Sequence, residues 1–257
     1  MLIEIPLVTF FLFSVLYPLV FLISVRDPLK KGFHHFHLGM PAVVGGLSVV
    51  GLWMFPAPPA LRTISTLWLG LMLAANAYYW RRETVNIFVV TAVSALGVGI
   101  YFFLHQKIFT PHAASFALGL LAGLILAAVF YAMNLGHWYL NVHGLPLSHL
   151  KRAVSVLGVF LVLRLLWDLA AGTGTTLVHQ GEVQSLWTFM RTLDGLFLWV
   201  AVFFGTVFPL ASLYFVWGTL KLKNTQSATG ILYVTLTAVL IGDIAYKYYL
   251  FRFGLAL

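Results

Sequence analysis

Long apolar runs, each closed by a short polar or basic break, repeat along the whole chain. A run of about 18 residues or more is long enough to cross a hydrocarbon core of about 30 Å as a helix. The pattern predicts eight spans, near 5–25, 38–55, 63–80, 85–104, 113–138, 153–171, 192–219 and 228–250. The helix breakers agree with these borders: Pro28, the group Pro56, Pro58 and Pro59, then Pro111, Pro146 and the stretch from Gly172 to Thr176 all fall between spans. Pro18 and Pro209 fall inside spans, where membrane helices tolerate a kink. The short alternating segments of a transmembrane barrel are absent. The longest polar stretch, about 172–191, is too short to fold alone, and no inverted repeat is visible. The chain therefore reads as one transmembrane domain over 1–257.

Composition places that pattern in the membrane class, because 61% hydrophobic residues with only 9% charged residues lie outside the soluble globular range. The expected fold is all-α, a polytopic bundle. Glu4 stands where a signal peptide would carry its basic region, and the apolar stretch runs to about Val25 without a small-residue cleavage site, so this segment reads as the first span. The chain has no cysteine, which excludes disulfides, c-type haem attachment, thiolate nucleophiles and cysteine-ligated iron–sulfur clusters within it. Any iron–sulfur or soluble redox domain would belong to a partner, an iron–sulfur or cytochrome subunit of a larger complex. The net charge of +8 lies at the ends of the apolar runs and reads as topogenic, with no nucleic acid implied.

Loops rich in Lys and Arg tend to stay cytoplasmic. The first, third, fifth and seventh loops hold Arg26, Lys30, Lys31, Arg81, Arg82, Lys151, Arg152, Lys221 and Lys223. The second and fourth hold Arg62 and Lys107, and the sixth offers Arg191 at its far end. The expectation is both termini outside, in the inner membrane of a bacterium.

The last three spans carry three acid–base pairs at helical spacing: Arg164 with Asp168, Arg191 with Asp194, and Asp243 with Lys247. Such i,i+3 and i,i+4 pairs share a helix face. Ionisable residues at bilayer depth are expensive and mark a path or cavity. In the predicted orientation Arg164 lies about 18 Å from the cytoplasmic start of its helix, and the six charges gather toward the outer face. Two readings follow. One makes them structural ion pairs, with Arg191 and Asp194 at the interface. The other makes them a quinone-headgroup or proton-handling site, with Asp168 and Asp243 exchanging protons and Arg164, Arg191, Asp194 and Lys247 on the substrate side.

The nine histidines are unevenly placed. His34, His35 and His37 lie in the first cytoplasmic loop, and His137, His143 and His149 at and beyond the end of the fifth span. Neutral imidazole is the usual axial ligand of b-type haem, and His37 with His137 is the pair best placed for bis-histidine haem. Ordinary interfacial histidines are the other reading. His105 and His112 flank the fourth loop, and His179 lies in the sixth. The stretch Asn134-Leu-Gly-His-Trp-Tyr-Leu-Asn141 suits an aromatic membrane-interface anchor. Alternatively it walls a haem or quinone, with Gly136 permitting close approach. No P-loop, HExxH or dinucleotide fingerprint is present.

In the final span, Gly242-Asp243-Ile-Ala-Tyr-Lys247 resembles the Gly-Glu-x-x-x-Arg ending of the eight-helix membrane anchors of DMSO-reductase-type molybdopterin oxidoreductases and the related polysulfide and nitrite reductase anchors. Asp and Lys stand here for Glu and Arg. The resemblance implies an eight-helix subunit with outer termini that exchanges electrons between quinol and a partner iron–sulfur subunit. The expected function is thus a membrane subunit of a respiratory electron-transfer complex. A b-type cytochrome, a proton-coupled transporter with its path through the last three spans, and a lipid-active enzyme using the histidine-rich face remain as alternatives.

Overall fold

The computed structural model describes residues 3–24, 33–54, 56–80, 82, 85–109, 112–142 and 144–257. Arg26, Pro28, Lys30, Lys31, Arg81, Pro111 and His143, used in the reading of loops and orientation, lie outside the described residues. The helices gather into two compact units, residues 1–111 and 112–257.

The first unit holds α1 (Glu4–Phe21), α2 (Phe33–Met54), α3 (Pro59–Tyr79) and α4 (Ile87–Ile108). Starts follow local chemistry: Pro58 and Pro59 pre-set the first turn of α3, and the Asn86 side chain accepts from Phe88 N at the start of α4. Small residues let these helices approach. A Cβ on Gly45 would lie 2.4 Å from Ser14 Oγ, and one on Gly97 would lie 2.6 Å from a Val15 methyl. Buried hydroxyls and indoles then find backbone acceptors, Ser14 Oγ donating to Pro41 O at 2.5 Å, Ser48 Oγ to Leu7 O at 3.0 Å and Trp68 Nε1 to Val93 O at 2.8 Å.

The second unit holds α5 (Ala113–Asn141), α6 (Ser148–Gly174), β1 (Thr176–His179), β2 (Glu182–Ser185), α7 (Leu186–Phe189), α8 (Leu193–Val202), a π-helical turn (Phe203–Val207), α9 (Phe208–Lys221) and α10 (Thr225–Phe253). The run expected as one helix near 192–219 is continuous from Leu193 to Lys221 but changes register at its centre. Pro209 has no N–H, and its ring would clash with the carbonyl four residues back, that of Gly205. The π turn relieves this, with Phe208 N bonded to Phe203 O. The polar stretch 172–191 contains a two-stranded antiparallel hairpin, pairing Val178 with Val183 and His179 with Glu182. Gln180 and Gly181 form its tip with positive φ values of 55° and 87°, the geometry that matches strand twist in two-residue hairpins.

Six helices among the described residues are long and apolar enough to cross a membrane: α2, α4, α5, α6, the α8–α9 rod and α10. Of the other two expected spans, α1 offers a 17-residue apolar stretch, Glu4–Val20, and α3 is a continuous helix of 21 residues that carries Arg62 and Asn76 among its apolar side chains. Large apolar side chains face outward on these rods, Phe88, Tyr214, Val43 and Phe197 among them. Several polar side chains, Ser14, Ser48, Ser94, Thr206 and Thr235 among them, are buried between the helices. A water-soluble protein seldom exposes contiguous apolar faces of this kind, whereas lipid provides their natural surroundings. The architecture is that of an all-α, multi-pass membrane protein with a small β-hairpin.

Candidate functional site

The second unit brings four of the six expected charged residues into one buried cluster. Arg164, Asp243 and Lys247 are each no more than 5% exposed. On α6, Arg164 Nε donates to Asp168 Oδ1 at 3.2 Å, the i,i+4 pair anticipated from spacing. On α10, Lys247 Nζ donates to Asp243 Oδ1. The guanidinium carbon of Arg164 lies 3.7 Å from the ring centroid of Tyr246, a cation–π contact that joins α6 to α10.

Two side chains outside the sequence expectation complete the cluster. Tyr246 OH donates to Asp168 Oδ2 at 2.6 Å, and Thr206 Oγ1 donates to the same oxygen at 2.8 Å. Their own oxygens lie 3.0 Å apart. Asp168 thus accepts from three helical segments at once, the saturation that makes a buried carboxylate tolerable. Thr206 is carried by the π turn, and such turns often occur at functional sites. Tyr246 is three residues from Asp243 and shares its helix face, so the spacing alone could have included it. Nothing local marks Thr206.

Backbone contact places these groups. A Cβ on Gly242 would lie 2.2 Å from both the Cα and N of Gly205, and one on Gly205 would lie 2.5 Å from Tyr246 Cε2. The π turn and α10 therefore touch through two glycines, the close approach that small residues permit in membrane bundles. Between the two ion pairs, a cavity of about 10 Å³ is lined by Arg164, Asp243 and Tyr246, with Gly205 and Val239 among its apolar walls. That is the space of about one water molecule.

Arg191 and Asp194 do not join the cluster. Arg191 precedes the helix, because Thr192 caps α8 by accepting from Gly195 N at 3.1 Å. The i,i+3 geometry assumed for this pair requires both residues to be helical. Asp194 sits in the first helical turn, where a carboxylate suits the helix dipole. It pairs with His179 Nε2 of the hairpin at 2.8 Å.

The expected haem pair is divided between the units. His37 is buried in the first unit, its Nδ1 2.5 Å from Tyr17 OH and its ring 4.0 Å from that of Phe33. His137 is exposed on α5 in the second unit. His35 stacks on Trp80 at 4.5 Å. No group of three or more metal-ligating side chains occurs among the described residues. Gly136, considered as a close-approach point for a ring, instead receives Thr229 of α10, whose Oγ1 would lie 2.5 Å from an added Cβ.

Comparison with protein-family models, with curated proteins and with solved structures gives no match.

Proposed function

We propose that this chain is a proton-handling integral membrane subunit of a respiratory electron-transfer complex, exchanging protons and electrons with membrane quinone at the buried cluster. The observation that carries the reading is the convergence of Arg164–Asp168 and Asp243–Lys247 around Tyr246, Thr206 and a water-sized cavity. With both acids and both bases ionised, the four charges sum to zero. Adding or removing one proton leaves a net buried charge, which is expensive in a low-dielectric interior. Protonation is therefore favoured only together with a compensating charge movement. Quinone reduction supplies one, because two electrons and two protons convert a quinone to a quinol. Asp168 and Asp243 pass the protons, Arg164 and Lys247 hold the cluster neutral between transfers, and Tyr246, bonded to Asp168 and lining the same cavity as Asp243, is the link between the two acids.

In this reading all eight long helical rods cross a bacterial inner membrane, α1 and α3 included, with both termini outside and the cluster toward the outer face. Electrons reach the quinone through iron–sulfur or cytochrome partners, since this chain has no cysteine. A second reading, a proton-coupled transporter, is favoured by the size of the cavity, which fits water better than a ring.

Turnover separates the two. In the purified complex, Asp243→Asn is expected to lower quinol-linked electron transfer about 100-fold, the usual scale of acid–base catalysis, while subunit assembly persists. Normal turnover would remove Asp243 from the mechanism. If the chain alone, reconstituted in liposomes, shows proton-coupled solute uptake that Asp168→Asn alters, the transporter reading replaces the respiratory one.

A further inference from the structure

A larger cavity lies in the first unit, as a groove along α3 and α4. It measures about 730 Å³, within the ~300–1,000 Å³ of pockets that hold small molecules. Small side chains leave the room, Ala75 of α3 and Ala92 of α4 among its lining. The two helices are pinned beside it, where Trp68 Nε1 of α3 donates to Val93 O of α4 at 2.8 Å. One end of the groove is apolar, lined by Leu71 and Leu96. The other is polar, lined by Tyr78, Arg82 and Asn86. The guanidinium carbon of Arg82 lies 4.1 Å from the ring centroid of Tyr78. Stacking of this kind occupies the flat face of the guanidinium and leaves its edge of N–H donors for an acceptor. Among the described residues no carboxylate pairs with Arg82, and none lines the groove. The Asn86 side-chain oxygen accepts from Phe88 N, so its amide N–H groups are further donors at the same end.

The groove has the depth of one leaflet. From Asn86, the cap of α4, to Leu96 the helix rises about 15 Å, half of a hydrocarbon core of about 30 Å. An apolar slot of that depth with a cation at its polar end is complementary to an acyl chain beneath an anionic headgroup. We propose that the groove binds one anionic phospholipid, its phosphate on Arg82 and one acyl chain running between α3 and α4 as far as Leu71 and Leu96. Arginine suits the phosphate because its planar fork can give two parallel N–H bonds to two oxygens. Basic sites between membrane helices take anionic headgroups in this way. The sign of the rim also selects among lipids. A zwitterionic headgroup brings an ammonium for which the described lining offers no carboxylate, whereas an anionic one meets its counter-charge in Arg82. The neutral ring of a quinone gives the guanidinium no counter-charge at all. The inference takes α3 as a membrane-spanning rod, as in the proposed topology, and does not depend on the chemistry of the charged cluster.

Native mass spectrometry tests this on the purified full chain, titrated in detergent with phosphatidylglycerol or with phosphatidylcholine of the same acyl chains. One phosphatidylglycerol is expected to bind about five- to tenfold more tightly than phosphatidylcholine, the scale of one cation acting on an anionic lipid. Arg82→Gln is expected to bring the two lipids to one affinity. Arg82→Lys should keep part of the preference, because the charge remains and the fork is lost. Ala92→Phe fills the groove and is expected to weaken both lipids about tenfold, the equivalent of about two methylenes leaving it. Glycerol 1-phosphate, a head without a chain, is expected not to displace phosphatidylglycerol. Arg82 and Ala92 are both exposed, so the unfolding midpoint of the lipid-free chain is expected to hold in all three variants. Equal affinities for the two lipids, a preference that survives Arg82→Gln, or binding that ignores Ala92→Phe overturns the proposal. Displacement by glycerol 1-phosphate would overturn it in favour of a free phosphate compound, and a dimer that Ala92→Phe dissolves would overturn it in favour of a second copy of the chain.

Discussion

Lys247→Met is expected to destabilise the second unit by about 3–5 kcal/mol, the usual effect of stripping one partner from a buried ion pair. Asp243 is buried on α10, and the Lys247 ammonium is its counter-charge. Without it the carboxylate must bind a proton or remain a net charge in an apolar interior. The double variant Asp243→Leu with Lys247→Met is expected to recover most of that loss, since replacing both members of such a pair by apolar residues is often neutral or better. Unfolding midpoints in detergent, measured as a double-mutant cycle, give the coupling directly. Additive losses in the two single variants and the double would show that the pair does not act as a unit.

The second large effect is expected at a glycine. In Gly242→Ala the new methyl would lie 2.2 Å from two backbone atoms of Gly205, and backbone atoms cannot move aside as a flexible side chain can. The substitution should push α10 away from the π turn and separate Tyr246 from Thr206 and Asp168, which now lie within 3.0 Å of it. Overpacking of this kind lowers stability by about 1–3 kcal/mol or more. Gly230→Ala on the same helix is the control. A Cβ there meets nothing within 4 Å, and alanine is the better helix former by about 1 kcal/mol. Thermal stability that falls for Gly242→Ala and holds or rises for Gly230→Ala would locate the effect in the glycine contact. Equal behaviour of the two would deny that the contact organises the cluster.

What the sequence disclosed divides along the range of the interactions. The apolar runs were legible because a membrane helix is specified by length and composition within one segment. The pairs Arg164–Asp168 and Asp243–Lys247 were legible for the same reason, both members lying one turn apart on a single helix. The pair Arg191–Asp194 has helical spacing but not helical geometry, because the Thr192 cap leaves Arg191 outside α8, and Thr192 is itself a cap signal in the sequence. The hairpin at 176–185 is inconspicuous in so apolar a chain, and Gln180-Gly181 between two β-favouring stretches is its one local turn signal. Pro209 reads as a kink from sequence alone, whereas the π register it requires, and the Thr206 hydroxyl which that register brings to Asp168, depend on contacts between distant segments. The bond between His37 and Tyr17 is likewise tertiary.

The most direct test of proton exchange at the cluster is an infrared difference spectrum between the quinone-oxidised and quinol-reduced complex, read in the carboxyl C=O stretching region. If Asp168 and Asp243 exchange protons during turnover, carboxyl bands appear or vanish with reduction, shift in heavy water, and are lost one at a time in Asp168→Asn and Asp243→Asn. A difference spectrum with no carboxyl band, or one that both variants leave unchanged, would reduce the cluster to two structural ion pairs.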